Sequence, residues 1–411
     1  MTRVCVVGSG GREHALAVAL GRDATVVVTP GNAGIPNSTA QPADEIDADL
    51  FVIGPEDPLV AGVADRLRAQ GKLCFGPGAD GARLEGSKAW MKEVLDAAGV
   101  PTASHASFTE LEPALAYLET MPGFYVVKTD GLAAGKGVIV TESITEARDA
   151  VRDYLSGAAF GDAGRRVVIE EGLTGPELSL LAVCDGTAVA PLAPAQDFKR
   201  VGSGDVGPNT GGMGAYSPVP LASDAVVDEV ITRAVEPTLH ELRRRGIDYR
   251  GVLYAGIMLT PTGYKMLEYN VRFGDPETQV VVPRMSSSLT TLLAEAAAGK
   301  LHHDVRFADD AAVTVVCATE NYPAKPRTGD RIGGIDEANA IEGVTVYCAG
   351  VRGAPTGEAE GLYTAGGRVL TVTAVGPTIG AARDRAYRAV RVISWPGLHY
   401  RDDIAARYGG V

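Results

Sequence analysis

Val4-Cys5-Val6-Val7 is an apolar run of strand length that ends in Gly8-Ser9-Gly10-Gly11 and passes into a helical stretch from Arg12. A buried strand turning through glycines into a helix is restrictive, because such a unit buries its faces only beside others like it. The pattern recurs. Ala24–Thr29, Leu50–Ile53 and Leu73–Phe75 read as further strands, with a helix at Leu59–Gln70 between the last two. This alternation predicts an open parallel α/β sheet over residues 1–100, with ligands at the Gly-, Pro- and Asn-rich loops that follow its strands.

A helix over Ser87–Ala98 stops at Gly99-Val100-Pro101, which marks a domain boundary. A second α/β unit follows, with helices at Thr109–Glu119 and Ile144–Leu155 and strands at Phe124–Lys128, Gly137–Thr141 and Val167–Glu171. Gln196 to Pro220 reads as a loop, and Ser223–Arg245 as a helix. Strands at Gly251–Leu259 and Tyr264–Val271 come next. From about residue 323 the pattern is strand-rich, with Arg368–Ala374 before a helix at Ile379–Ile393, which predicts a small C-terminal α/β domain. A chain of 411 residues is too long for one core, so several domains are expected.

The formal net charge of -13 argues against nucleic acid as a partner, since that affinity comes from neutralising many phosphates. A small phosphorylated ligand needs only a local group of cations. No apolar run is long enough to span a membrane, and Met1-Thr2-Arg3 leads into a strand rather than a secretory signal. Five scattered cysteines without a C-x-x-C pair predict buried free thiols in a reducing cytoplasm.

The chemistry concentrates in Lys265-Met266-Leu267-Glu268-Tyr269-Asn270-Val271-Arg272-Phe273-Gly274-Asp275-Pro276-Glu277. On a strand, Glu268, Asn270 and Arg272 project from one side. A carboxylate and an amide oxygen so placed suit a hard cation such as Mg²⁺, and a guanidinium beside them suits a phosphate. Asp275 and Glu277 add two carboxylates at the strand's exit.

The glycine loops divide by what they lack. In Gly8-Ser9-Gly10-Gly11-Arg12-Glu13 the third-glycine position of a dinucleotide fingerprint holds Glu13, and the second strand ends without a ribose-binding acid. The loop still suits an isolated phosphate at a helix start. Gly131-Leu132-Ala133-Ala134-Gly135-Lys136-Gly137 lacks the spacing and the Ser or Thr of a Walker loop, yet it places Lys136 on a hairpin after Lys128, as a lid over a polyphosphate would. Val167 to Leu173 offers an apolar wall with backbone groups for an adenine, and Glu177 a carboxylate for a ribose. Pro208-Asn209-Thr210-Gly211-Gly212-Met213-Gly214, close after Asp197, Lys199 and Arg200, predicts an anion nest. His14, His302 and His303 stand at no metal-ligand spacing.

Taken in order, these motifs resemble the ATP-grasp superfamily and, within it, the phosphoribosylamine–glycine ligase family. Gly8 to Ala15, Pro30 to Gly34, Gly54 to Val60, Leu84 to Lys88, Lys128 to Gly137, Pro208 to Pro218 and Glu268 to Gln279 carry the likeness, essentially end to end. It implies an α/β chain with an ATP-grasp fold. A Rossmann-like open parallel domain would occupy residues 1–100, the ATP-grasp region 101–322 with a mobile lid at about 115–187, and the small C-terminal α/β domain 323–411.

The resemblance also implies a reaction of de novo purine biosynthesis. ATP, glycine and 5-phosphoribosylamine give glycinamide ribonucleotide, ADP and phosphate through a glycyl phosphate. It assigns Glu268 and Asn270 to Mg²⁺, leaving open whether Mn²⁺ can replace it, and Lys88, Lys128 and Lys136 to the ATP phosphates. Glu170 and Leu173 would meet adenine through their backbones, and Glu177 the ribose. Gly10, Gly11 and Arg12 would hold the sugar phosphate, with Glu56, Asn209, Thr210, Gly211 and Arg272 along the substrate channel. Asp275 and Glu277 would orient glycine's ammonium or the incoming amine. A cytoplasmic monomer is expected. Gly251 to Met258 holds no acid where many superfamily members have another metal ligand, which leaves the number of ions open. The alternatives are another ATP-grasp carboxylate–amine ligase of purine metabolism and a dinucleotide-dependent oxidoreductase.

Overall fold

The computed structural model describes residues 1–131, 137–157 and 165–408. Arg3–Gly8 is the second strand of a four-stranded parallel sheet, between Thr25–Pro30 and Leu50–Ile53, with Cys74–Phe75 at the far edge. The strands Val4–Val7 and Leu50–Ile53 are buried on both faces, as an apolar run without alternation requires. The first helix, Gly11–Leu20, begins where Glu13 turns back to accept the Gly10 amide at 2.6 Å.

One expectation here is corrected. The helix read at 59–70 is two helices, Glu56–Val60 and Val63–Ala69, broken where Gly62 takes a left-handed φ of 72°. The helices Ala79–Gly86 and Lys88–Ala98 follow, the second capped by the Ser87 side chain on Trp90 N and closed by left-handed Gly99.

The second sheet is wholly antiparallel, in the order His105–Phe108, Val167–Glu171, Tyr125–Thr129, Val138–Thr141. Helices Leu111–Leu118 and Ile144–Leu155 cover it and bury a core of its own around Val127, Val151 and Ile169. The third sheet, also antiparallel, runs Val189–Pro191, Glu177–Asp185, Arg250–Thr260, Gly263–Asn270.

The stretch 196–220 is not a plain loop. It contains the short strands Gln196–Asp197, Arg200–Gly202, Val206–Asn209 and Gly214–Ser217. Gly214–Ser217 pairs with Ala311–Ala318 and joins a five-stranded antiparallel sheet completed by Arg368–Gly376 and Val344–Cys348. That last sheet therefore takes strands from the middle of the chain as well as from its end. The helical run after it, Asp224–Val230 to Glu236–Arg244, passes through a π-turn at Ile231–Val235. All five cysteines are buried and unpaired, and among the described residues no helix is long and apolar enough to cross a membrane.

Candidate active site

Gly263–Asn270 is an edge strand, and its pairing with Arg250–Thr260 slips once. Met266 faces Ile257 and Glu268 faces Gly256, so Leu267 is the extra residue of a bulge. Before the bulge Tyr264 and Met266 point into the core, and a regular strand would have carried Glu268 in behind them. The bulge reverses the parity. Glu268, Asn270 and Arg272 are half-buried, while Tyr269 and Val271 are buried between them. Tyr254 and Gly256 stand opposite Asn270 and Glu268, so no second acid faces them across the ladder.

Two lysines approach this edge. Lys88, the first residue of its helix, donates to the Gly131 carbonyl at 2.9 Å, and burial pushes its pKa down. Lys128 donates to the Leu267 carbonyl at 3.4 Å and lies 2.8 Å from Glu170 Oε1. Burial works against the Lys128 charge, but Glu170 and Glu268 outweigh it and its pKa rises. Lys136 lies outside the described residues. Glu177 opens its strand with a carboxylate 3.4 Å from Lys199, which also pairs with Asp197 at 3.0 Å. Leu173 is half-buried, two residues past the Val167–Glu171 strand.

Further along, Arg272 Nε donates to Glu56 at 3.1 Å, and its Nη2 donates to Glu85 at 2.8 Å and to Asn270 Oδ1 at 3.2 Å. Glu85 also accepts the Val271 amide at 2.9 Å. Arg12 is buried against Glu13 and donates to the Phe273 carbonyl at 3.0 Å. A Cβ on Gly11 would come within 2.6 Å of Thr371 Oγ1, so the helix start is pressed against the C-terminal sheet. Asp275 pairs with Arg368 at 3.1 Å and accepts from Gln279 at 2.8 Å. Burial would raise its pKa, yet Arg368 and Arg12 hold it below the usual range. Glu277 is buried and accepts the Tyr254 hydroxyl at 2.6 Å, with the Ser179 hydroxyl at 3.4 Å. Burial and nearby Asp197 push its pKa up.

The anion nest expected at 208–214 is overturned. The amides of Thr210, Gly211, Gly212 and Met213 donate to Lys199 O, Tyr322 Oη, Thr210 Oγ1 and Phe198 O. The loop instead presents Asn209, half-buried at the end of its hairpin strand, and is tied down by Arg368, which donates to Gly211 O at 2.7 Å. The Gly8–Gly11 loop likewise gives the Gly10 amide to Glu13.

Lys92, Glu85, Tyr254 and Arg368 were assigned no role from sequence. Lys92 had one signal, its place four residues after Lys88 and so on the same helical face. Among the described residues no group of three or more His, Cys, Asp or Glu could hold a metal ion by itself. Glu268 and Asn270 supply two hard oxygen donors, which fits a cation that completes its shell with phosphate oxygens and water.

Comparison with known proteins agrees along the whole length. Models of the phosphoribosylglycinamide synthetase N domain, ATP-grasp (A) domain and C domain match residues 2–85, 86–278 and 312–407. The chain is 49% identical over 428 residues to a phosphoribosylamine–glycine ligase of Streptomyces coelicolor, covering 99% of this chain and 100% of that protein. It is 47% identical to the ligase of the same name from Pseudomonas aeruginosa, covering 98% of this chain and 97% of that protein. The crystal structure of phosphoribosylamine–glycine ligase from Thermotoga maritima is similar with a TM-score of 0.86 at 34% identity, covering 98% of this chain and 100% of that one.

Proposed function

The chain belongs to the phosphoribosylglycinamide synthetase family, and from that premise we propose that it joins glycine to 5-phosphoribosylamine at the expense of ATP. The observation that carries the reading is the end-to-end match to relatives named phosphoribosylamine–glycine ligase. A glycine carboxylate oxygen bonds to the γ-phosphorus of ATP as the bond to ADP breaks. The sugar amine then forms the C–N bond, expels phosphate and loses a proton.

The side chains of the site suit those two steps. Lys88 and Lys128 bring positive charge to the edge where Glu268 and Asn270 stand, as phosphoryl transfer needs. Mg²⁺, or Mn²⁺ in its place, would be held by Glu268 and Asn270 and would supply charge neutralisation at the transferring phosphoryl group. Lys136 completes the cations over the phosphates, the backbones of Glu170 and Leu173 hold the adenine, and Glu177 takes the ribose hydroxyls. Gly10, Gly11 and Arg12 line the sugar phosphate, and Glu56, Asn209, Thr210 and Gly211 the channel. Arg272 orders Glu56, Glu85 and Asn270 around the reacting groups. Asp275, ionised beside Arg368, and Glu277 orient the two amines. We assign residues 1–100, 101–322 and 323–411 to the three domains, with a lid at about 115–187, and take the enzyme as a cytoplasmic monomer.

The test is a coupled ADP assay with each substrate omitted in turn. ADP should form only when glycine and phosphoribosylamine are both present. ADP formed equally well with an unrelated carboxylate or amine would assign the chain to another ligase.

A further inference from the structure

Behind the nucleotide side of the site lie three charges that solvent barely reaches. The Lys92, Glu170 and Lys128 side chains are 1%, 2% and 7% exposed. Lys92 sits on the inner face of the Lys88–Ala98 helix, outside the antiparallel sheet that carries the other two. A buried ammonium is costly unless it is paired and hydrogen-bonded. Lys92 meets that condition, donating to Glu170 Oε2 at 3.0 Å and to Thr102 Oγ1 at 2.7 Å. Thr102 passes the link to the Met266 carbonyl at 2.7 Å, on the strand that bears Glu268 and Asn270.

The two lysines share Glu170, one on each carboxylate oxygen. Lys92 donates to Oε2 at 3.0 Å, and the Lys128 ammonium lies 2.8 Å from Oε1. Among these three groups two ammoniums outnumber one carboxylate, and the charge left over, which Glu268 also attracts, is available to an incoming anion. With Lys92 absent, Glu170 would have Lys128 as its sole counter-ion and would draw it away from the ligand.

We propose that Lys92 is a positioning residue for the nucleotide: by sharing Glu170, it keeps that carboxylate from holding the Lys128 ammonium alone, so that Lys128 can turn to the phosphates. The proposal rests on the ATP site argued above.

Displacement of trinitrophenyl-ATP by MgATP, read by fluorescence on the full chain, tests it. Lys92→Met should weaken MgATP by about 10- to 100-fold, the span of a lost hydrogen bond to a charged group. Adding Glu170→Gln to that variant, which frees Lys128 again, should restore affinity to within about 5-fold of wild type, a recovery that a purely structural role would not produce. Lys92→Met binding like wild type, or a double variant as weak as the single, overturns the proposal. If Lys92→Met fails to fold, the double variant decides: affinity near wild type sustains the proposal and a loss of about 10-fold or more overturns it. A wild-type chain that binds no MgATP would instead sink the ligase reading.

Discussion

Arg368 holds Asp275 twice, donating from Nη1 to its carbonyl at 2.8 Å and pairing from Nη2 with its carboxylate at 3.1 Å. The same Nη1 donates to the Gly211 carbonyl at 2.7 Å. One guanidinium from the C-terminal sheet thus locks the exit of the Glu268 strand to the 208–214 loop. Arg368→Met is expected to lower kcat/KM by about 10²-fold, since a half-buried charge pair beside the site loses one partner. Steady-state kinetics on the folded variant check this, and a variant within 3-fold of wild type would contradict it.

Glu268→Gln should keep the fold and lose turnover by at least ~10²-fold, because an amide binds a hard cation far more weakly than a carboxylate. The coupled ADP assay reads the turnover, and circular dichroism confirms the fold. Near-normal activity would remove Glu268 from the metal assignment.

His14 couples stability to pH. It is buried, its Nδ1 accepts the Cys348 amide at 2.9 Å, and burial lowers its pKa to about 4. Between that value and the ordinary value near 6.5 the unfolded chain binds a proton that the folded chain refuses. Stability from this group is therefore complete above pH 6.5 and lost as pH falls toward 4, by about 3 kcal/mol at most. His14→Gln should flatten the difference in Tm between pH 7 and pH 5. An unchanged slope would exclude His14 as its source.

Arg401, 1% exposed, makes a two-pronged pair with Asp403 at 2.7 Å and donates to Asp205 at 2.7 Å and to the Arg200 carbonyl at 3.0 Å. It fastens the 200–209 hairpin, whose last residue is Asn209. Arg401→Met should cost about 3 kcal/mol of stability. It should also raise the KM for phosphoribosylamine more than the KM for ATP, which a substrate-by-substrate titration would show. Equal changes in both would place the effect in global stability alone.

The N-terminal sheet was legible because its strands are short apolar runs bounded by glycines, a signal that needs no knowledge of partners. The alternation of Glu268, Asn270 and Arg272 was legible for the same reason. The bulge at Leu267 was not, since it exists only relative to the strand opposite. Four strands of two to four residues escaped notice within 196–217, where Gly, Pro and Asn content signals turns and the pairing partners lie as far off as residue 315. Lys92 looks like any helical lysine until Glu170, 78 residues along the chain, is folded against it. Arg368 is separated from Asp275 by 93 residues, beyond any local pattern.

Because Gly214–Ser217 is hydrogen-bonded between Gln196–Asp197 and Ala311–Ala318, the last hundred residues are not an appendage. A shortened chain ending near residue 310 would strip one flank from that strand and unzip the segment that carries Asn209 to Met213. Anyone splitting this gene for fragment complementation, or grafting the catalytic half onto another scaffold, should expect a dead product unless the tail travels with it.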